Sequence, residues 1–276
     1  MGSAIDPRLH VLCAVLAVGC SRSHAGNGAG GDAHKDEPLR VAAASDLAGA
    51  FDEIRAAFER SSGKKVEMTF GSTGLLAKQI AEGAPFDVFA AANISFVDDV
   101  VKAGACDAAT KALYARGRIV VWTEDPSALP GDLRDLAAPR YRKIAIANPE
   151  HAPYGRAAQE ALMKAGVWAA LEPRTVRGEN VQQTLVYART GNTDAAIVAL
   201  SLAIGEGGAY LPIDPSLHDP LDQALVVCDG GPAGQAGRAA KRSDALAFVA
   251  FVASEEGRAV MRRRGFLLPG ESPPAK

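Results

Sequence analysis

The sequence predicts an α/β protein of two lobes, each a mainly parallel sheet flanked by helices, with a ligand site in the cleft between them. Three observations lead there. From Leu39 onward, apolar runs of strand length alternate with amphipathic runs of helix length, the order that builds largely parallel sheets. Pro126, Pro130 and Pro139, and then Pro212, Pro215 and Pro220, break the pattern on either side of the middle of the chain and read as crossings between lobes. Residues 39–118 and 220–270 then form one lobe and residues 119–219 the other. Four junctions between strand and helix, two in each lobe, carry small, hydroxyl or glycine residues with no obvious catalytic base.

The N-terminus differs in character from the rest of the chain. Arg8, an apolar run from Leu9 to Val18, then Gly19 and Cys20 have the layout of a secretory signal, too short for a permanent membrane span. The order Leu16-Ala17-Val18-Gly19-Cys20 resembles a bacterial lipobox, with Ala17 where a larger aliphatic residue is usual. On this reading residues 1–20 are a leader with Cys20 as the lipidated first residue. Residues 21–38, rich in glycine and poor in apolar side chains, form a flexible tether. Cys13 and Cys20 belong to the leader, which leaves Cys106 and Cys228. Their spacing matches no zinc pattern. In an exported protein they can pair, but two separate buried thiols is the preferred reading.

Strands are expected at Leu39–Ala44, Val66–Phe70, Asp87–Ala91, Arg118–Trp122, Lys143–Ala147, Asp194–Val198 and Ala224–Cys228. The first helix is the clearest, because Leu47, Phe51, Ile54 and Phe58 recur at helical spacing and Gly63 can stop it. A second helix follows Gly74, and a third follows Ser95, with Ser95 and Asp98 as a capping pair. Later helices fit Arg156–Ala165, Val181–Arg189 and Asp244–Ser254, then a short amphipathic piece over Glu255–Arg264.

The junctions are Ala44-Ser45-Asp46, Gly71-Ser72-Thr73-Gly74, Ala152-Pro153-Tyr154-Gly155 and Gly178-Glu179-Asn180-Val181. Each aims unpaired backbone N–H groups and the positive end of a helix dipole at whatever lies in front of it. Converging, they would hold an anion. Taken singly, Ser45 and Thr73 read first as helix caps, and Asn180 as the cap of the Val181 helix. Tyr154 reads equally as a ring packed over its turn and as part of a site. Neutral donors with almost no acceptor suit an anion that carries no proton, since a protonated one would bring a donor without a partner. Asp46 and Glu179 run against this, and both are expected to point away, with Asp46 capping its own helix start. If Asp46 lines the pocket, it can accept a proton and the selectivity weakens. A net charge of −2 with both signs scattered argues against nucleic-acid binding, which needs a basic stripe.

In their order and spacing, several of these segments resemble the periplasmic molybdate-binding proteins of bacterial ABC importers, two-lobed type II solute-binding proteins. They are Val41-Ala42-Ala43-Ala44-Ser45, Phe70-Gly71-Ser72-Thr73-Gly74-Leu75-Leu76-Ala77, Gly83-Ala84-Pro85-Phe86-Asp87-Val88-Phe89, Asn148-Pro149-Glu150-His151-Ala152-Pro153-Tyr154-Gly155-Arg156 and Glu179-Asn180-Val181-Gln182, with a closing helix that ends in Arg264-Gly265-Phe266. The resemblance implies that Ser45 and Thr73 donate hydroxyl and backbone hydrogen bonds to molybdate, and that Tyr154 and Val181 add backbone N–H groups from the other lobe. Asp46 is a further candidate through its amide. Ala199 stands where some members carry a tyrosine ligand, which places this chain with the subgroup that has tyrosine in the Pro-Tyr-Gly turn.

The implied protein is no enzyme and uses no cofactor. It is an exported, lipid-anchored monomer that binds molybdate or tungstate as ligand and hands it to a separate permease and ATPase, since this chain has no phosphate loop of its own. Molybdenum enters only inside its oxyanion, with no side chain as a direct metal ligand. A receptor for another tetrahedral oxyanion such as sulfate is the alternative within the class. An exported hydrolase using Ser45 is the alternative outside it, but Ser45 lacks the nucleophile elbow and His151 follows Pro149-Glu150 in a turn, where a surface role is expected.

Overall fold

Strands buried on both faces need continuous apolar runs, and the chain supplies them in two sets. The computed structural model describes residues 37–229 and 239–272. The first set comprises β1 (Leu39–Ala44), a 3-10 turn at Ser45–Leu47, α1 (Ala48–Ser62), β2 (Val66–Gly71), α2 (Thr73–Ala81), β3 (Val88–Ala91), α3 (Ile94–Lys102) and β4 (Ala112–Gly117). The second comprises β5 (Ile119–Thr123), β6 (Ile144–Ala147), α4 (Pro153–Lys164), α5 (Trp168–Leu171), β7 (Thr175–Gly178), α6 (Val181–Arg189), β8 (Ala195–Ala199), α7 (Leu200–Ala203) and β9 (Ala209–Pro212). The chain then returns with β10 (Leu221–Val227), α8 (Ala239–Val252) and α9 (Glu255–Arg263).

Two five-stranded sheets result, ordered β2-β1-β3-β10-β4 and β7-β6-β8-β5-β9. Each has three adjacent parallel strands, then one antiparallel strand, then an edge strand. The two-lobed α/β class expected from the alternating pattern is the one observed. Residue Arg118 alone separates β4 from β5 at the first crossing between sheets. Its backbone carbonyl accepts from Leu200 N–H at 2.9 Å, and its guanidinium Nε donates to the Gly265 carbonyl at 2.9 Å.

Side chains along β1 and β3 alternate between two cores, as strand geometry requires. Val41, Ala43, Val88 and Ala90 join a cluster that also takes in Phe51, Tyr154, Ile144 and Val198, whereas Ala42 and Phe89 pack with Leu76, Val97 and Val226 on the opposite face. Helix α1 buries Phe51, Ile54 and Phe58 completely or nearly so, and ends at Gly63 in the left-handed conformation, whose N–H reaches the Glu59 carbonyl at 3.0 Å. Phe51 and Phe58 meet Phe248 of α8 edge-on at 6.2 and 5.3 Å, the arrangement ring quadrupoles favour.

Two expectations need correction. Cys106 and Cys228 are joined in a disulfide rather than buried apart. Strand β10 runs antiparallel beside β3, and its end meets the loop after α3, where Asp107 N–H donates to the Val227 carbonyl, while Cys228 N–H donates to the carbonyl of Asp87, just before β3. That register brings the two sulfurs together across 122 residues of sequence. The cap of α3 is Asn93, whose side chain accepts from Ser95 N–H at 2.9 Å, so Ser95 lies inside the helix and is not its cap. The leader, its Cys20, and nearly all of the tether fall outside the described residues. Among the described residues no helix is long and apolar enough to cross a membrane.

Candidate functional site

Ligands of parallel α/β sheets gather at the carboxyl ends of the strands, and the four junctions lie at such ends. Ser45 follows β1, Ser72 and Thr73 follow β2, Tyr154 follows the loop after β6, and Asn180 and Val181 follow β7. All of them line one pocket together with Asp46, Ala92 and Pro153. Ser45, Thr73, Tyr154 and Val181, the residues singled out from the sequence, are each at most 3% exposed.

Local sequence explains how each is presented. Thr73 and Val181 are the first residues of α2 and α6, and Tyr154 is the second of α4 behind Pro153. Their N–H groups therefore have no carbonyl one turn back to bond with. Asn180 caps α6 by accepting from Gln183 N–H at 3.0 Å. The Thr73 hydroxyl accepts from Ala92 N–H at 3.3 Å, which leaves its one proton to donate. Gly155 lets α4 start against β6, since a Cβ there would stand 2.0 Å from the Ala147 carbonyl oxygen. Glu179 is exposed and is not part of the lining.

Asp46 departs from expectation. It is the second residue of the 3-10 turn, with Ala44 in the cap position, and makes no capping bond. Instead its Oδ2 accepts from the Tyr154 hydroxyl at 2.9 Å and from Gln223 Nε2 at 2.6 Å. The Tyr114 hydroxyl donates to Gln223 Oε1 at 2.9 Å, which fixes that amide. Asp46 thus ties the 3-10 turn after β1 to α4 in the other lobe. Burial raises its carboxyl to about 6, against the lowering effect of the Gln223 and Tyr154 hydrogen bonds. Burial, with the nearby Asp46 charge, holds the Tyr114 and Tyr154 hydroxyls well above the ordinary phenol range.

Further contacts across the cleft involve residues that were not among the expected ligands. Ser72 occupies the cap position of α2 but gives no cap bond. Its hydroxyl lies 2.8 Å from both the carbonyl oxygen and Nδ1 of His151. Gly74 N–H donates to the same carbonyl at 2.9 Å, and the Ser201 hydroxyl donates to the Asp46 carbonyl at 2.8 Å. His151 is therefore a partly buried bridge between lobes, not the surface residue expected. Its position one residue before Ala152-Pro153-Tyr154 was the available signal. Tyr114 and Gln223 gave none, because neither stands near a junction in sequence.

The arrangement offers hydroxyl and amide donors, one buried acid and no cation, since Arg156 and Arg177, each next to a junction in sequence, are exposed. Among the described residues no three His, Cys, Asp or Glu side chains gather to hold a metal ion. His151 turns to Ser72 and not to Ser45, so Ser45 lacks the adjacent base a nucleophile needs.

Residues 39–267 match the family described as bacterial extracellular solute-binding protein. The chain is 34% identical to the molybdate-binding protein ModA of Rhodobacter capsulatus over 78% of its own length and 82% of the relative's. It is 33% identical to the molybdate-binding protein ModA of Azotobacter vinelandii, over 72% and 81%. Among solved structures, the Azotobacter vinelandii periplasmic molybdate-binding protein superposes with a TM-score of 0.77 at 26% identity, covering 84% of this chain and 99% of that one. The chain belongs to the bacterial extracellular solute-binding protein family.

Proposed function

We propose that this protein is an extracytoplasmic receptor that binds molybdate, and tungstate with it, and delivers the anion to the permease and ATPase of an ABC importer. The observation that carries the reading is the meeting of four donor-bearing junctions, two from each sheet, in one pocket without a cation. Fixed dipoles and neutral donors hold a fully ionised oxyanion without the desolvation cost of a buried counter-charge. In this reading Ser45 and Thr73 donate through hydroxyl and amide, and Tyr154 and Val181 through their amides. Each such bond to a charged oxygen contributes about 1.5 to 3 kcal/mol. The anion is held by its oxygens, with no side chain on the metal atom.

The same reading makes residues 39–118 and 220–270 one lobe and residues 119–219 the other, closing on the anion as a monomer. Residues 1–20 act as an export signal and Cys20 carries the lipid, with residues 21–38 as tether. Mass measurement of the mature N-terminus tests the anchor, and an unmodified Cys20 removes it.

Calorimetric titration with molybdate, tungstate, sulfate and hydrogen phosphate tests the ligand. Molybdate and tungstate are expected to bind most tightly. Asp46 lines the pocket with an Oδ1 that has no partner among the described residues, an acceptor for the proton of hydrogen phosphate, so discrimination against that anion is expected to be smaller than the about 1 to 3 kcal/mol that a proton without a partner costs. Sulfate binding as tightly as molybdate would turn the protein into a general receptor for tetrahedral oxyanions.

A further inference from the structure

A buried acid with one idle oxygen stands in the wall of the pocket. Asp46 is 1% exposed, and its Oδ2 takes both donors, whereas Oδ1 has no partner among the described residues. A carboxylate left this way is costly unless a cation or a further donor reaches it. The charged side chains on the surrounding elements are engaged elsewhere. Arg118 turns to the Gly265 carbonyl, Arg116 to Asp222, Arg55 to Asp52 and Glu59, Arg189 to Glu206, and Glu53 to Arg263 and Arg264. Glu67 and Arg156 are exposed, and the imidazole of His151 is bound to Ser72. The nearest titratable groups, the Tyr114 and Tyr154 hydroxyls, stay neutral because burial and the Asp46 charge push them up.

A divalent oxyanion in this pocket meets Asp46 in one of two forms. The ionised form places a like charge beside it with no cation between them. The neutral form removes that repulsion and turns the idle oxygen into one more donor. We infer that Asp46 joins the loaded site as the neutral acid, its Oδ1–H donating to an oxygen of the anion, so that each oxyanion bound brings in one proton from solvent. The inference rests on the oxyanion-receptor reading above. One O–H bond forms at Oδ1, the proton comes from hydronium or buffer acid, and no other covalent bond changes. Burial already raises the carboxyl to about 6 in the protein alone, and a neighbouring dianion moves it further up. Proton uptake therefore spans the range above that value. Affinity falls as pH rises there, approaching tenfold per unit.

The test is calorimetric titration of the full-length protein with sodium molybdate between about pH 6 and about pH 8.5, in buffers of different ionisation enthalpy. Wild-type protein is expected to take up close to one proton per anion in the upper part of the range and to lose affinity there. Asp46→Asn keeps an acceptor for Tyr154 and Gln223 and presents a permanent donor. It is expected to lose the slope and to bind about tenfold or more tightly than wild type at the top of the range. The wild-type proton count stands even if that variant folds poorly. A flat wild-type profile without proton uptake, or a slope surviving in Asp46→Asn, overturns the inference and leaves the receptor reading intact. Absence of molybdate binding at every pH by folded protein removes both.

Discussion

Thr73 starts a helix and lines the candidate pocket at once, and the two places separate at the level of single atoms. Its backbone begins α2 while its hydroxyl accepts from Ala92 N–H and keeps a proton for the pocket. Replacing it with alanine removes the donor that the proposed function assigns to the anion and leaves the Ala92 N–H unpaired. Thr73→Ala is expected to weaken molybdate binding about 10- to 150-fold, with a stability loss of about 1 to 3 kcal/mol. Calorimetry with thermal melting reads both, and unchanged affinity would leave Thr73 a structural residue alone. Positions such as Thr73 and Val181 are legible in sequence because their chemistry is local: a strand end, a small residue, a helix start. Asp46 is not. Its orientation is set by Tyr154 and Gln223, 108 and 177 residues away, and no local rule reports a partner at that distance.

Among the elements, the strands absent from the sequence reading share a place in the fold. β4, β7 and β9 are all edge strands. Their burial patterns mix exposed and half-buried positions, because an edge needs no continuous apolar run. The central strands, buried along their length, stood out in sequence for the opposite reason, and β2, the fourth edge strand, is legible there despite its mixed burial. The disulfide between Cys106 and Cys228 also belongs to this scale, since it pins the end of β10 to the loop after α3. It closes a span of 122 residues, so its loss releases much entropy in the unfolded chain. Replacing both cysteines by serine is expected to cost about 2 to 5 kcal/mol of unfolding free energy. Urea denaturation checks this, and a difference within error of zero would mean that strand pairing alone holds the junction.

For the molecule as a whole, the close approach of the lobes is recorded in a few small residues. Gly74 is one, because its N–H meets the His151 carbonyl and a Cβ in its place would stand 2.7 Å from that oxygen. Backbone on both sides leaves nothing to yield cheaply. Gly74→Ala is expected to fold normally, since α2 tolerates alanine. It should weaken molybdate binding about tenfold or more by holding the lobes apart. Small-angle scattering with saturating molybdate would show a more extended particle than wild type, and identical scattering and affinity would place the closing contact elsewhere.

The order of the strands has a further consequence, for assembly. The second sheet is drawn from one unbroken stretch, from β5 to β9, whereas the first needs β10 between β3 and β4. As the chain grows from its N-terminus, the later half of the molecule has all its strands before the earlier half does. Ser45 and Thr73, among the first residues of the fold to be made, then wait on a sheet whose β3 side is unpaired until residue 227 emerges. Folding units complete themselves as their parts become available, so here the lobe that begins the sequence is the last to close.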